Sequence, residues 1–104
     1  MKTIFLGCYS PNAVKGLIGG SDRRAAVEAL LATVGGKLES MFFTRGEYDI
    51  ALVAEFEDRE TAMGLTMAIQ ASGAFSKMCI LEELDMEKVL PSAQAAAKVY
   101  QPAG

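Results

Sequence analysis

The stretch IALVAEF, residues 50–56, is almost continuously apolar. A strand with one face in water alternates apolar and polar residues, whereas a strand covered on both faces reads as an unbroken apolar run. The stretch therefore predicts a central β-strand. The elements on either side of it decide how its two faces are covered.

The segment before this strand, Lys37–Thr44, predicts a second strand with apolar side chains on both faces. Leu38 and Phe42 are on one face of this strand, and Met41 and Phe43 are on the other. The short polar connection Arg45–Asp49 is typical of a tight link between adjacent strands. Residues 37–56 are thus expected to form two neighbouring strands.

The segment after the central strand predicts a helix over Arg59–Ser72, capped by Asp58 and ended by Gly73. Its buried stripe contains Ala62, Leu65 and Ile69 at helical spacing. A further strand is predicted over 75–84.

The N-terminal third repeats the order of strand and helix. Lys2–Tyr9 is rich in β-branched and aromatic residues and predicts a strand. Ser10 and Pro11 begin a short helical turn, and a helix over about 22–34 follows, ended by Gly35 in a left-handed conformation.

The C-terminal segment is predicted to form two short helical pieces. Asp85 caps a turn from Met86 to Leu90 that Pro91 ends, and Ala93–Val99 forms a last helix on the surface. We expect one domain over residues 1–104, with a core over 1–84 and a helical extension and tail over 85–104.

The order strand, helix, strand, strand, helix, strand is the ferredoxin-like βαββαβ pattern of the α+β class. It places two helices on one face of a four-stranded antiparallel sheet and leaves the other face open. Because two strands are apolar on both faces, something must cover the open face. Packing against a second copy is the simplest cover, so we expect a homodimer or higher homo-oligomer with a dimeric α/β barrel.

Composition excludes several kinds of function. The formal charge of −3 argues against nucleic acid as a partner. The first apolar run is too short for a signal peptide or a membrane span, so no membrane association and a cytoplasmic location are expected. The chain has no histidine, and its two cysteines, Cys8 and Cys79, fit neither a redox pair nor a zinc site. No metal and no cofactor are predicted.

The chain resembles the GYD domain family at Gly46, Tyr48 and Asp49. The resemblance extends to Gly35-Gly36-Lys37-Leu38 and to the tail Tyr100–Gly104, where Gln101 and Ala103 replace residues common in the family. The resemblance implies a ferredoxin-like fold and a protein that dimerises. The family has no assigned biochemical function. Fold alone does not transfer chemistry from other dimeric α/β barrels.

Six polar residues near strand ends are candidates for ligand binding. Arg45, Tyr48 and Asp49 can form a polar rim that binds a small anion. Their structural interpretation is a tight turn, with Gly46 at positive φ and Asp49 accepting from backbone N–H groups.

The other three candidates, Tyr9, Lys15 and Arg24, are expected where the first strand leads over the sheet. The two cations suit a carboxylate or phosphate. The alternative is that both are solvated, with Arg24 pairing with Glu28 one turn later.

Three functions stay open. We favour binding of a small molecule, with an anion as one candidate, in a pocket between sheet and helix or at the dimer interface. A structural or protein-interaction module without a ligand is the first alternative, and a cofactor-independent enzyme is the second.

Overall fold

A computed structural model describes residues 1–103. The strands are β1 (Lys2–Tyr9), β2 (Lys37–Phe43), β3 (Ile50–Glu55) and β4 (Phe75–Glu82). The helices are α1 (Pro11–Ile18), α2 (Arg23–Ala32), α3 (Arg59–Ala71) and α4 (Met86–Ala97). Within residues 1–103, no helix combines the length and apolar character needed to cross a membrane.

The four strands form one sheet in the order β2-β3-β1-β4, and every neighbouring pair is antiparallel. The apolar strand β3 lies inside the sheet between β1 and β2, as predicted. This topology confirms the ferredoxin-like α+β fold.

Each helix begins at a side-chain cap that the sequence supplies. Asp22 and Asp58 accept hydrogen bonds from the backbone N–H groups of Ala25 at 3.0 Å and Thr61 at 2.7 Å. These bonds satisfy N–H groups that lack a partner in the first helical turn. Gly35 and Gly73 follow α2 and α3 at φ +69° and +74°, the left-handed conformation that ends a helix.

The core lies between the sheet and the helices α2 and α3. One cluster joins Leu31, Ala54, Phe56, Ala62 and Leu65. A second cluster joins Phe5, Tyr9 and Ile50, and Ala13 and Leu17 of α1 pack against it. Alternate residues of β1 and β3 therefore point toward the helices.

The opposite surface of the sheet, here called the open face, carries the other alternate residues. Register and alternation place on it Ile4, Leu6, Cys8, Phe42, Ala51, Val53, Cys79 and Leu81. The exposed fractions of Ile4, Phe42 and Leu81 are 40%, 57% and 48%. Within residues 1–103 no helix covers this apolar face, as the sequence predicted.

The C-terminal segment departs from the prediction. Pro91 does not end a helical turn there, and a single helix, α4, runs through it from Met86 to Ala97. A proline inside a helix removes the hydrogen bond to the carbonyl four residues earlier and crowds that carbonyl, but the alanines that follow Pro91 favour helix. None of the residues of α4 is buried. The molecule with this helix included measures 59 × 34 × 22 Å.

Candidate functional site

A cavity of about 240 Å³ lies between the sheet and the helices α2 and α3. Its wall is largely apolar, and the sheet contributes Phe5, Ile50 and Leu52. The helices contribute Val27, Leu30, Leu65 and Ile69. Concave, mostly apolar cavities with a few polar groups are the usual form of a small-molecule site.

Two residues of the cavity wall each have one buried polar atom without a partner. Thr3 Oγ1 and Arg23 Nε have no hydrogen-bond partner among residues 1–103. The Thr3 residue is only 3% exposed. A buried hydroxyl or guanidinium N–H without a partner costs free energy, so both atoms call for an explanation.

Arg23 is directed into the cavity by its position in α2. It is the first residue of the helix, immediately after the cap Asp22. Ala26, Val27 and Leu30, at three, four and seven residues further on, also line the cavity. Residues at these spacings share one face of a helix, so Arg23 lies at the end of the apolar stripe.

Tyr9 ends β1 beside Arg23. Its ring stacks on Phe75 with centroids 4.9 Å apart, and its backbone N–H donates to Asp49 Oδ2 at 2.9 Å. Burial raises the pKa of the Tyr9 hydroxyl, the positive charge of Arg23 lowers it, and the negative charge of Asp49 raises it, with a net upward shift. The hydroxyl is therefore protonated at neutral pH and able to donate a hydrogen bond.

The connection between β2 and β3 is fixed by hydrogen bonds. Thr44 donates through its backbone N–H to the Asp49 carbonyl at 2.8 Å and through Oγ1 to the Tyr48 carbonyl at 2.6 Å. Gly46 has φ +140°, which confirms the predicted positive φ. The bond from Tyr9 to Asp49 likewise confirms that Asp49 accepts from a backbone N–H group.

Tyr48 forms a surface cluster with two charged residues. Lys77 Nζ lies 4.8 Å from the centroid of the Tyr48 ring and 2.8 Å from Glu47 Oε1. The hydrogen bond between the two charges lowers the pKa of Glu47 and raises that of Lys77. This cluster lies on the exposed side of the connection and contributes nothing to the cavity wall.

The structure distributes the six predicted ligand-binding residues over four places. Tyr9 lines the cavity and contacts Asp49, whereas Lys15 is exposed on α1. Arg24 is exposed and forms an ion pair with Glu28 at 3.1 Å, as its alternative interpretation predicted. Arg45 is exposed in the β2–β3 connection, where Tyr48 and Asp49 are half-buried.

Sequence reasoning missed Arg23 and Thr3, although both left a signal. Arg23 has the spacing of the apolar stripe of α2, and Arg24 does not. Thr3 is two residues from Phe5 and six from Tyr9, so strand alternation puts all three on one face. In the part of the chain described by the structure, no group of three or more Cys, Asp or Glu side chains is arranged to hold a metal ion.

The fold and the cavity together define a ferredoxin-like α+β protein with a concave, mostly apolar site between sheet and helices. The model of the GYD domain matches residues 4–97. The chain belongs to the GYD domain family. The match ends before the tail at 100–104, and Gly104 also lies outside the described residues.

Solved structures show the same fold at low sequence identity. The 5-chloro-2-hydroxyhydroquinone dehydrochlorinase TftG of Burkholderia phenoliruptrix AC1100, in complex with 2,5-dihydroxybenzoquinone, is 16% identical with a TM-score of 0.55. That alignment covers 81% of this chain and 94% of the dehydrochlorinase. The protein FFRP-DM1 is 15% identical with a TM-score of 0.53 over 80% of this chain and 97% of its own. No curated protein matches the sequence significantly.

Proposed function

We propose that the protein binds a small, mostly apolar organic anion in the cavity between the sheet and the helices α2 and α3. The observation that carries the proposal is the unpaired Nε of Arg23 in an apolar wall. A guanidinium group stays charged at every physiological pH, so its Nε–H remains a donor that needs an acceptor. An anionic oxygen of a ligand supplies the missing partner.

Tyr9 supports the same choice of ligand. Its raised pKa keeps the hydroxyl protonated, and its neighbour Arg23 is a second donor. Two donor residues that line the same cavity favour an acceptor such as a carboxylate or a phenolate, and charge-assisted hydrogen bonds of this type are the stronger ones. The apolar remainder of the wall suits an aliphatic or aromatic body.

The adjacent arginines provide a matched test. We expect Arg23→Gln to weaken binding of benzoate, octanoate and 2,5-dihydroxybenzoquinone about tenfold or more, since a charged hydrogen bond is lost. Arg24→Gln removes the same charge one residue away from an exposed ion pair, and we expect it to leave affinity within about twofold. Titration calorimetry measures both.

The result also separates the alternative functions. Saturable binding that depends on Arg23 supports the ligand site, and turnover of a bound compound would add the enzymatic function. If none of the probes binds the wild-type protein, the ligand proposal fails and the structural module without a ligand is the better description.

We also propose that the protein self-associates through the open face. Four strands about 4.8 Å apart, each with about six residues rising 3.3 Å, give a face of roughly 400 Å². A stable interface commonly buries about 800 Å² on each partner. The open face supplies part of that area and needs a second contribution from the same chain.

The helix α4 supplies such a contribution. Met86, Val89 and Leu90 lie at helical spacing on it and are 52%, 39% and 43% exposed. An amphipathic helix without a partner is marginally stable in water. A second copy of the chain that packs against α4 and the open face would cover the exposed apolar residues of each. The homodimer proposed here leaves the cavity on the opposite side of the sheet.

A further inference from the structure

The two unpaired polar atoms of the cavity lie at opposite ends of it. Thr3 and Tyr9 share one face of β1 and are six residues apart, which corresponds to roughly 20 Å along the strand. Arg23 lies at the Tyr9 end, where its charge acts on the Tyr9 hydroxyl.

The course of α2 independently gives the same order of the two ends. The helix starts at Arg23, and Leu31, eight residues later, packs against Ala54. Ala54 is the register partner of Thr3. Eight residues of helix correspond to about 12 Å of rise, so the helix carries the chain from the Arg23 end to the Thr3 end.

The wall between the two ends is apolar. Phe5 and Leu52 line it from the sheet, and Val27 and Leu30 line it from α2. A ligand that fills this length therefore meets a charged donor first, then hydrocarbon and aromatic surface, and finally the buried hydroxyl of Thr3. A threonine hydroxyl both donates and accepts, so it pairs with a neutral oxygen better than with a methyl group.

We propose that the ligand is an elongated, two-ended acid, with its carboxylate at Arg23, an apolar body along the cavity and a second, neutral oxygen at Thr3. This inference rests on the proposed binding function and adds the shape and the second polar group of the ligand. The strongest observation for it is the 3% exposed Thr3 residue with an unpaired hydroxyl in the cavity wall.

The test compares decanoate with its ω-hydroxy derivative on the wild-type protein and on Thr3→Val. Valine has the shape of threonine without the hydroxyl. We expect the ratio of the two affinities to move toward decanoate by about three- to tenfold in Thr3→Val, because the ω-hydroxyl loses its partner. Thr3→Ser, which keeps a hydroxyl, is the matched control and retains the wild-type order of affinities.

Chain length gives a second readout. The hexanoate pair is too short to contact both ends, so its affinity ratio is expected to be the same in all three proteins. If the ratio of the affinities for decanoate and its ω-hydroxy derivative is the same in the wild-type protein and in Thr3→Val, the proposal of a two-ended ligand is wrong. Binding at Arg23 is not affected by that result. If no acid binds the wild-type protein, the proposed function fails together with this inference.

Discussion

Tyr9 shows how one residue connects the sheet, the β2–β3 connection and the cavity. Its backbone N–H is bound by Asp49, its ring stacks on Phe75, and its hydroxyl has a raised pKa caused chiefly by burial. A tyrosine whose folded-state pKa is raised stabilises the folded protein fully below the unfolded value near 10. That contribution is lost as pH rises through the folded pKa.

We therefore expect the free energy of unfolding of the wild-type protein to fall above pH 10 more steeply than that of Tyr9→Phe. Urea unfolding of both proteins at a series of pH values measures the difference. Tyrosinate absorbance, taken as wild type minus Tyr9→Phe, gives the midpoint of Tyr9 itself, which we expect above 10. A midpoint at or below 10 would contradict the burial argument.

Arg23 and Arg24 mark the limit of what the sequence predicts at this scale. The sequence placed an arginine at the start of α2 near Tyr9, but the candidate was Arg24, which pairs with Glu28 in water. Adjacent residues of a helix point about 100° apart, so only one of the two arginines lies on the apolar face. Spacing to Val27 and Leu30 would have settled it in favour of Arg23.

Thr3 was missed for a different reason. Its position in β1 followed from strand alternation, but a buried threonine is usually satisfied by a neighbouring carbonyl. Only the positions of surrounding atoms show that its hydroxyl lacks a partner among residues 1–103.

At the scale of elements, capping residues gave the sequence its most reliable signals. Asp58 was predicted as a cap and accepts from a backbone N–H three residues later, and Asp22, at the predicted start of α2, does the same. The helix ends at Gly35 and Gly73 were equally readable because positive φ favours glycine. Pro91 misled the prediction because the alanines after it continue the helix despite the lost hydrogen bond and the crowding that a proline causes.

The Asp58 cap carries a prediction about stability and pH. Hydrogen bonds from Thr61 lower the pKa of Asp58. Its contribution is therefore present above the unfolded pKa and is lost as pH falls through the folded value. We expect Asp58→Ala to lower Tm by several degrees at pH 7, and by less in acid.

Asp58→Asn is the control for this prediction, since an amide oxygen still caps α3 but does not titrate in this range. Thermal unfolding by circular dichroism should show a Tm for Asp58→Asn near wild type at pH 7 and a flatter dependence on pH. Equal losses of Tm in both variants would mean that the charge, and not the cap bond, stabilises the helix.

For the whole molecule, the sequence predicted the fold class and the open apolar face, because both depend on the order and periodicity of elements. It also predicted a pocket between sheet and helix or at the dimer interface, but neither the lining nor the size of the cavity. A cavity arises from imperfect filling between Phe5, Leu52 and the facing helices, and periodicity does not measure volume.

The proposed self-association is tested at Val53, which lies near the middle of the open face opposite Ile4. We expect Val53→Glu to shift the protein from dimer to monomer, because it buries a charge in an apolar interface. Sedimentation equilibrium or native mass spectrometry gives the mass. Met67→Glu adds the same charge at a methionine that is 65% exposed on α3, and it should leave the mass unchanged.

Circular dichroism of both variants establishes that they are folded before the masses are compared. A wild-type protein that is monomeric at high concentration, or a Val53→Glu variant with the wild-type mass, would exclude the open face as the interface.

The alternation along β1 has a consequence for how this protein can change its length. Thr3, Phe5 and Tyr9 face the cavity, while Ile4 and Leu6 face the opposite side of the sheet. Inserting or deleting one residue in this strand exchanges the two sets, since a shift of one position turns every side chain over. Substitutions alter one surface at a time, but a single-residue insertion or deletion here alters both surfaces at once.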